Sequence, residues 1–257
     1  MENNTHKSDS YVFGRNSVKI LLESNPERVF KIFLAEGLKP DKRLDAIRGL
    51  AQKHKKPMTT SPRQKLDAMV SDIPDATHQG IIASVSPKEL FTLNDLIALC
   101  QPKLEAKENP VLLMLDGITD PRNFGAILRT CDAVGIDGVI ITKHDSAGFG
   151  PVVAKTASGA EETVNVCVVA NLNNAIEQLK KAGFWIIGAA AHEKAVDYFK
   201  QDYKMPVVLA LGSEGEGLKA LVQKNCDILV KIPMHGSVES LNVSVAAGVL
   251  LYQIKQG

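Results

Sequence analysis

The chain has 257 residues, of which 45% are hydrophobic and 23% are charged. A chain of this length and apolar content predicts a packed protein of two domains rather than a disordered one. The net charge of +1 does not by itself indicate a nucleic-acid partner. No apolar run is long enough to cross a bilayer, so no membrane partner is expected.

The cysteine and histidine residues favour neither disulfides nor a metal site. The four cysteines lie without CxxC spacing in apolar or helical segments, which predicts reduced, buried thiols. The six histidines form no HExxH or comparable ligand spacing, so no metal is expected. The polar N-terminus lacks the apolar core of a signal peptide, and residues 1–10 are expected to form a disordered tail. Together these features predict a cytoplasmic protein.

Residues 11–86 alternate short helical and strand-like segments, which predicts a small α/β domain. The helical segments are SVKILLES, DKRLDAIRGLAQKHKK and SPRQKLDAMV, and the strand-like ones are VFKIFLA, PMTT and GIIASVS. Residues 87–109 combine Pro, Lys, Glu and Asn around one weak helix and are interpreted as a linker.

Residues 110–257 show a more regular alternation of short apolar runs and amphipathic helices. The apolar runs are VLLMLD, GVIIT, VNVCVV, FWIIGAA, VVLALG and ILVKIP. Continuous apolar runs are typical of strands buried on both faces. The pattern therefore predicts an α/β domain with a parallel sheet covered by helices on both sides.

Three polar, glycine-containing loops follow apolar strands of this second domain. GITDPRNFGAILRT comes after VLLMLD, SEGEGL after VVLALG, and MHGSVESLNVSVA after ILVKIP. In an open parallel sheet, ligands bind beyond the carboxyl ends of the strands. The three loops are therefore expected to converge on one binding site.

The glycine-rich turn from Gly212 to Gly217 does not match the common nucleotide-binding motifs. It is not GxGxxG, and no lysine directly follows its last glycine as in a P-loop. Glu214 and Glu216 would repel phosphates, so a positively charged cofactor such as the sulfonium S-adenosyl-L-methionine fits better. An acidic, flexible turn without a ligand is the alternative.

The segment TDPRNFGAILRT is suited to begin a helix, because Asp120 can cap it and Pro121 fits its first turn. Arg122, Gly125 and Arg129 then share one face by their spacing. The two arginines are the only ones in the second domain, and each offers a forked donor to phosphate. A capped helix with solvent-facing arginines is the alternative.

NFGAILRT, LALGSEGEGL and IPMHGSVESLNVSVAAG resemble, in order and in spacing, the three motifs of the SpoU (TrmH) family of RNA ribose 2′-O-methyltransferases. YVFGRNSVKILLE and THQGIIASV, in the first domain, resemble the substrate-binding domain attached to this family. The arrangement is most similar to the branch that methylates a guanosine in the peptidyl-transferase region of bacterial 23S ribosomal RNA. The resemblance implies S-adenosyl-L-methionine as the cofactor and ribosomal RNA as the partner.

The same resemblance implies a SPOUT fold, a parallel sheet whose C-terminal segment forms a trefoil knot, and a homodimer built through the knotted domain. The cofactor-binding residues that it implies are Gly212, Ile232 and Leu241. The motif residues near the reacting ribose are Asn123, Arg129, Glu214, Ser240 and Asn242. RNA contacts are expected from Arg15, Lys53, Lys55, Lys56 and Arg122.

In this interpretation Arg129 anchors a phosphate and stabilises the developing alkoxide. Asn123 and Ser240 orient Arg129 and the ribose, and Glu214 holds the arginine or shapes the pocket. Other functions stay open at this point. A transfer-RNA or other ribosomal-RNA methyltransferase would carry the same motifs, and a non-catalytic RNA-binding protein could keep the same fold. A nucleotide-dependent α/β enzyme such as a dehydrogenase is disfavoured by the lack of GxGxxG.

Overall fold

The computed structural model describes residues 10–73 and 76–256, and these form two compact units. The first unit contains the described part of residues 1–89 together with Phe149–Thr163. The second contains Leu90–Gly148 and the described part of residues 164–257. The predicted disordered tail lies outside the described residues except for Ser10, and the predicted domain boundaries stay predictions.

The described residues form short elements that alternate along both units. The strands are β1 (Ser10–Phe13), β2 (Val29–Ala35), β3 (Met58–Ser61), β4 (Ile81–Val85), β5 (Val111–Asp116), β6 (Gly138–Thr142), β7 (Val166–Val169), β8 (Trp185–Ala189), β9 (Val196–Asp197), β10 (Val207–Gly212) and β11 (Ile228–Lys231). The helices are α1 (Arg15–Ser24), α2 (Lys42–Lys53), α3 (Arg63–Met69), α4 (Leu93–Glu105), α5 (Pro121–Val134), α6 (Pro151–Ala157), α7 (Ala160–Thr163), α8 (Leu172–Lys181), α9 (Ala220–Asn225) and α10 (Val243–Gln256).

The first unit is built on a four-stranded mixed sheet in the order β1-β4-β2-β3. β1 and β2 pair antiparallel with β4, and β3 runs parallel to β2. Ile32 packs in a cluster with α1 and α2, whereas Ile82 packs in a separate cluster with α3. Both faces of the sheet are therefore covered, which explains why every residue of β4 is buried.

The segment Phe149–Thr163 belongs to the first unit, where α7 packs against α1. We call Arg28, Lys88, Glu161 and Glu162 the buried ionic cluster. Arg28 Nη1 pairs with Glu162 Oε2, and Lys88 Nζ donates to the backbone carbonyl of Glu161. Desolvation raises the pKa of Glu161 to about 7 and lowers the pKa of Lys88 to about 8. These contacts anchor a segment that lies within the predicted second domain to the first unit.

The second unit is built on a seven-stranded sheet in the order β7-β6-β5-β10-β8-β11-β9, and its paired strands are all parallel. The prediction of a parallel sheet from continuous apolar runs is confirmed. VLLMLD and VVLALG form β5 and β10, which lie side by side in the middle of the sheet. α4, α8 and α9 cover one face in a common hydrophobic core, and α10 packs against α5 and β10.

α4 lies in the stretch 87–109 that the sequence pattern indicates as a linker. It has 13 residues and begins after Thr92, which forms a reciprocal capping box with Asp95. Leu96 and Cys100 are buried in the core of the second unit. The weak helical pattern therefore belongs to a helix that is stabilised by tertiary packing.

α5 begins and ends by local rules. Asp120 Oδ1 accepts a hydrogen bond from the backbone N–H of Arg122 at 2.8 Å, and Pro121 is the first helical residue. The helix ends at Gly135, whose φ of 68° lies in the left-handed region that favours glycine. The predicted cap is confirmed.

The four cysteines are free thiols, of which Cys100, Cys131 and Cys167 are buried and Cys226 is half-buried. Desolvation raises the pKa of Cys100 to about 11, so this thiol is protonated at neutral pH. Among the residues that the structure describes, no helix combines the length and the apolar character that a membrane span requires.

Candidate active site

The side chains of Asn123, Glu214 and Asn242 form one hydrogen-bonded group, which we call the polar loop cluster. Asn242 Nδ2 donates to Asn123 Oδ1 at 3.0 Å and also to Glu214 Oε1. Glu214 Oε1 accepts a further hydrogen bond from the backbone N–H of Val243 at 3.3 Å. These residues follow β5, β10 and β11, so the predicted convergence of three loops beyond the carboxyl ends of the strands is confirmed.

Asn242 has a second role at the start of α10. Its Oδ1 accepts hydrogen bonds from the backbone N–H of Ser244 at 2.9 Å and from Ser244 Oγ at 2.5 Å. Because α10 begins at Val243, Asn242 directly precedes the first turn, at the capping position. Asn is a preferred residue at the capping position of a helix, so the same side chain caps α10 and links the three loops.

The glycine-rich loop after β10 is a tight hairpin turn. Ser213 and Gly217 exchange two backbone hydrogen bonds, of 3.1 and 3.0 Å. A Cβ atom on Gly212 would lie 1.9 Å from the carbonyl carbon of Gly217, much closer than any non-bonded approach allows. The turn itself therefore requires glycine at position 212, independently of any ligand.

Asp116 positions this turn, and the sequence analysis did not single it out. It is the last residue of β5, is 2% exposed, and pairs in register with Gly212. Its Oδ2 accepts a hydrogen bond from the backbone N–H of Lys219 at 2.8 Å. A carboxylate at the end of an apolar buried strand was the available signal, because a buried charge needs a partner.

A cavity of about 150 Å³ lies in the second unit at the ends of β8 and β11. Its wall is formed mainly by small and apolar residues, with a few polar ones: Ala189, Ala190, Ala191, Val230, Lys231, Ile232, Met234, Glu239, Ser240, Leu241, Ala246 and Leu250. Two of the predicted cofactor residues, Ile232 and Leu241, are thus brought together with the predicted catalytic Ser240. Gly212 lies instead at the end of β10, where the turn requires it.

Arg129 is exposed on α5 and makes no hydrogen bond or ion pair with the described residues. The expectation that Glu214 holds Arg129 is therefore not met, because the carboxylate of Glu214 bonds Asn242 and Val243 instead. Arg122 is also exposed, whereas Gly125, which lies between the two arginines on the same helix, is buried. Arg129 remains available to a ligand or a partner.

The basic residues predicted to contact RNA in the first unit fall into two groups. Arg15 pairs with Asp41, the residue that caps the amino end of α2. Lys53 is the last residue of α2, and Lys55 and Lys56 follow it. A 12-residue helix is about 18 Å long. Arg15 and the KHKK segment therefore lie at opposite ends of α2.

Within residues 10–73 and 76–256, no group of three or more His, Cys, Asp and Glu side chains is arranged to hold a metal ion.

Comparison with protein families accounts for both units. Residues 110–252 match the SpoU rRNA Methylase family. The chain belongs to this family. Residues 11–91 match the family described as RNA 2′-O ribose methyltransferase substrate binding. The motifs that make up the polar loop cluster thus lie in the part matched to the SpoU family.

Curated relatives match almost the whole chain. The 23S rRNA (guanosine-2′-O-)-methyltransferase RlmB of Pseudomonas putida is 41% identical over 243 residues, which cover 94% of each chain. RlmB of Shewanella oneidensis is 40% identical, with 96% of this chain and 97% of that chain covered. Among solved structures, the SpoU methyltransferase AviRb from Streptomyces viridochromogenes in complex with AdoMet matches with a TM-score of 0.76 at 21% identity, covering 96% of this chain and 89% of that one. This last likeness concerns the fold.

Proposed function

We propose that this protein transfers a methyl group from S-adenosyl-L-methionine to the ribose 2′-hydroxyl of a guanosine in the peptidyl-transferase region of 23S ribosomal RNA. The observation that carries the proposal is the hydrogen-bonded meeting of all three family motifs at Asn123, Glu214 and Asn242. The choice of RNA is supported by the RlmB relatives, which are about 40% identical over nearly their full length.

The cavity fits part of this cofactor. Its apolar wall at Ile232 and Leu241, beside the small residues Ala189–Ala191, suits the flat and weakly polar surface of an adenosine group. The wall also contains one basic and one acidic residue, Lys231 and Glu239, whose formal charges offset each other. The cofactor would supply an activated methyl group on a sulfonium. Ile232, Ser240 and Leu241 would hold it, while Gly212 acts through the shape of its turn.

The polar loop cluster would position the reacting ribose. Asn123 and Asn242 lock the start of α5 to the start of α10, and Glu214 ties the turn after β10 to both. Preorganised hydrogen-bonding groups contribute to rate because they need not rearrange during the reaction. Glu214 is therefore assigned to positioning rather than to proton transfer.

Arg129 would stabilise the negative charge that develops on the ribose oxygen and anchor a neighbouring phosphate. A guanidinium is not deprotonated in proteins, so we do not assign Arg129 as the base. Its exposure and lack of partners among the described residues leave its five donors available to RNA. Arg122, in the first turn of the same helix, is assigned to a further phosphate contact.

We also propose a cytoplasmic homodimer whose second unit contains the trefoil knot of the SPOUT fold. α10 exposes Val245 and Tyr252, which are 52% and 49% accessible. Contiguous exposed apolar patches mark surfaces that pack against another chain, and the spacing of seven residues places Val245 and Tyr252 on the same face of α10. A partner subunit covering α10 would account for both.

The purified full chain tests the function directly. We expect it to transfer the labelled methyl group of S-adenosyl-L-methionine to a transcript of the 23S peptidyl-transferase region, at one guanosine 2′-hydroxyl. A transcript with 2′-deoxyguanosine at the modified position is the matched control and should accept no methyl group. Transfer to a transfer RNA in place of the 23S transcript would overturn the substrate assignment. Binding of RNA without any transfer would identify a non-catalytic protein.

A further inference from the structure

An open groove of about 730 Å³ lies on the first unit, and we call it the basic groove. It is lined by Arg15, Leu38, Asp41, Lys42, Arg43, Arg63 and Gln79. Four of these residues are cations and one is an anion. The groove is formed entirely by residues of the first unit, so it is separate from the polar loop cluster.

The single acidic residue of the groove is already engaged by the chain. Asp41 Oδ1 caps α2 by accepting from the backbone N–H of Leu44 at 2.8 Å, and its Oδ2 pairs with Arg15. Arg15 is also held through its backbone N–H, which donates to Gln79 Oε1 at 3.1 Å. Asp41 therefore fixes Arg15 and leaves the other cations without a counter-charge from this residue.

Lys42, Arg43 and Arg63 are exposed and make no hydrogen bond or ion pair with the described residues. Their side chains can therefore donate to a ligand without breaking contacts of the fold. Two of the groove cations have guanidinium forks free in this way, and such forks match the geometry of phosphate oxygens.

The positions of these cations oppose ordinary helix electrostatics. Arg15, Lys42 and Arg63 are the first residues of α1, α2 and α3, and Arg43 is the second residue of α2. The amino end of a helix carries partial positive charge, so a nearby cation is unfavourable for the helix. These cations share one groove although their positions are unfavourable for their helices. This arrangement indicates that the groove binds an anionic ligand.

We propose that the basic groove binds the sugar-phosphate backbone of the RNA substrate, with Arg43 and Arg63 as its main phosphate contacts. The proposal rests on the proposed function, which supplies RNA as the polyanion. The sequence analysis expects RNA contacts at both ends of α2, from Arg15 and from the KHKK segment, and the proposal places the main phosphate contacts at the amino end, beside Arg15.

The test measures the affinity of the full chain for the 23S transcript and for an unrelated RNA hairpin over a series of salt concentrations. We expect Arg43→Ala with Arg63→Ala to weaken binding of both RNAs by about tenfold and to reduce the salt slope by about two, one for each phosphate contact. The matched control, Lys19→Ala with Arg48→Ala, removes the same charge from exposed ion pairs on α1 and α2. It should leave affinity and slope near those of the unchanged protein.

Two further measurements separate the possible outcomes. The melting temperature of the groove variant should equal or exceed that of the unchanged protein, because cations are removed from helix amino ends. Equal RNA affinity and salt slope in the groove and control variants would overturn the proposal. A third variant, Lys53→Ala with Lys55→Ala, tests the KHKK segment, and a loss of RNA affinity in this variant alone would also overturn the proposal. If the unchanged protein binds the transcript through the groove but does not methylate it, the groove stands and the proposed function fails. If it methylates the transcript with a KM for RNA that the groove variant shares, the function stands and the groove fails.

Discussion

The buried ionic cluster of the first unit and the polar loop cluster of the second unit use similar groups in opposite surroundings. Glu161 and Glu162 are 4% and 5% exposed, and desolvation raises the pKa of both carboxyls. Glu214 and Asn242 are exposed, and the Glu214 carboxylate accepts hydrogen bonds from the neutral amide of Asn242 and from a backbone N–H, with no cation among the described residues as its partner.

The difference in burial distinguishes charged groups that stabilise the fold from polar groups that are accessible to a substrate. Removing a charge from water is costly, so a buried ion pair is sensitive to loss of either partner. An exposed cluster contributes little to folding but leaves its groups accessible to a substrate. In this protein the strongly shifted pKa values of Glu161 and Lys88 therefore belong to an anchor, although such shifts are often used to locate active sites.

Breaking the buried ionic cluster should have the largest effect on the free energy of unfolding. Arg28→Ala leaves the Glu162 carboxylate buried without its guanidinium partner, and we expect the free energy of unfolding to fall by about 3–5 kcal/mol. Chemical denaturation of the full chain measures this loss. Arg48→Ala, which breaks an exposed ion pair with Asp45, is the control and should cost less than about 1 kcal/mol. Similar losses in the two variants would show that burial does not distinguish the pairs.

Arg129→Ala should affect catalysis without affecting the fold. Because Arg129 is exposed and has no partner among the described residues, stability and cofactor affinity should stay unchanged. Turnover should fall by about 100- to 1,000-fold, the scale of losing one donor to a developing oxyanion. Methylation kinetics with saturating RNA measure the effect.

Arg129→Lys distinguishes the roles of this residue. Partial rescue by lysine supports charge stabilisation, with the lost fork explaining the remaining deficit. A pH profile governed by deprotonation of the new lysine would instead assign a base to this position. Near-normal turnover of Arg129→Ala would exclude both roles.

Glu161→Gln should stabilise the protein in a pH-dependent manner. The folded-state pKa of Glu161 is about 7, above its ordinary 4.5. Between these values the folded state keeps a proton that the unfolded chain has released, so the unchanged protein loses stability as the pH rises. Glutamine does not titrate. The free energy of unfolding of the variant should therefore exceed that of the unchanged protein by up to about 3 kcal/mol at pH 8 and should equal it at pH 4.

Denaturation midpoints between pH 4 and 8 test this expectation. Glu23→Gln, at an exposed ion pair with Lys19, is the control. Its denaturation midpoint should change with pH in the same way as that of the unchanged protein. If the midpoint of Glu161→Gln also follows the pH dependence of the unchanged protein, the burial of this carboxyl does not affect the free energy of folding.

Glu214→Ala should have the smallest effect among these substitutions. Loss of the acceptor for Asn242 and Val243 should lower the free energy of unfolding by about 1 kcal/mol and turnover by about tenfold. Glu214→Gln keeps an acceptor oxygen and should restore most of the turnover if the residue acts by positioning. A full loss in Glu214→Gln together with an altered pH profile would contradict positioning and indicate proton transfer.

The local rules of the sequence predicted the parallel sheet, the start of α5 and the meeting of three loops. Each depends on neighbours within a few residues: apolar runs for buried strands, Asp120 and Pro121 for the helix start, and strand ends for the position of the loops. The four-residue α7 and the two-residue β9 were not predicted, because neither is long enough to show a hydrophobic period.

Motif resemblance determined the family and named Asn123, Glu214 and Asn242, but only tertiary structure decided which of them touch. Asp116 bonds the backbone of a residue 103 positions later, and Arg28 meets Glu162 across 134 positions. Periodicity extends over one or two turns of a helix or a few strand residues, so it carries no information about such contacts. The same limit applies to α2, where sequence placed a basic segment at one end and packing assembled the basic groove at the other. Sequence determined the elements and the chemistry of their loops, and long-range packing decided which charges are buried as anchors and which are exposed to a ligand.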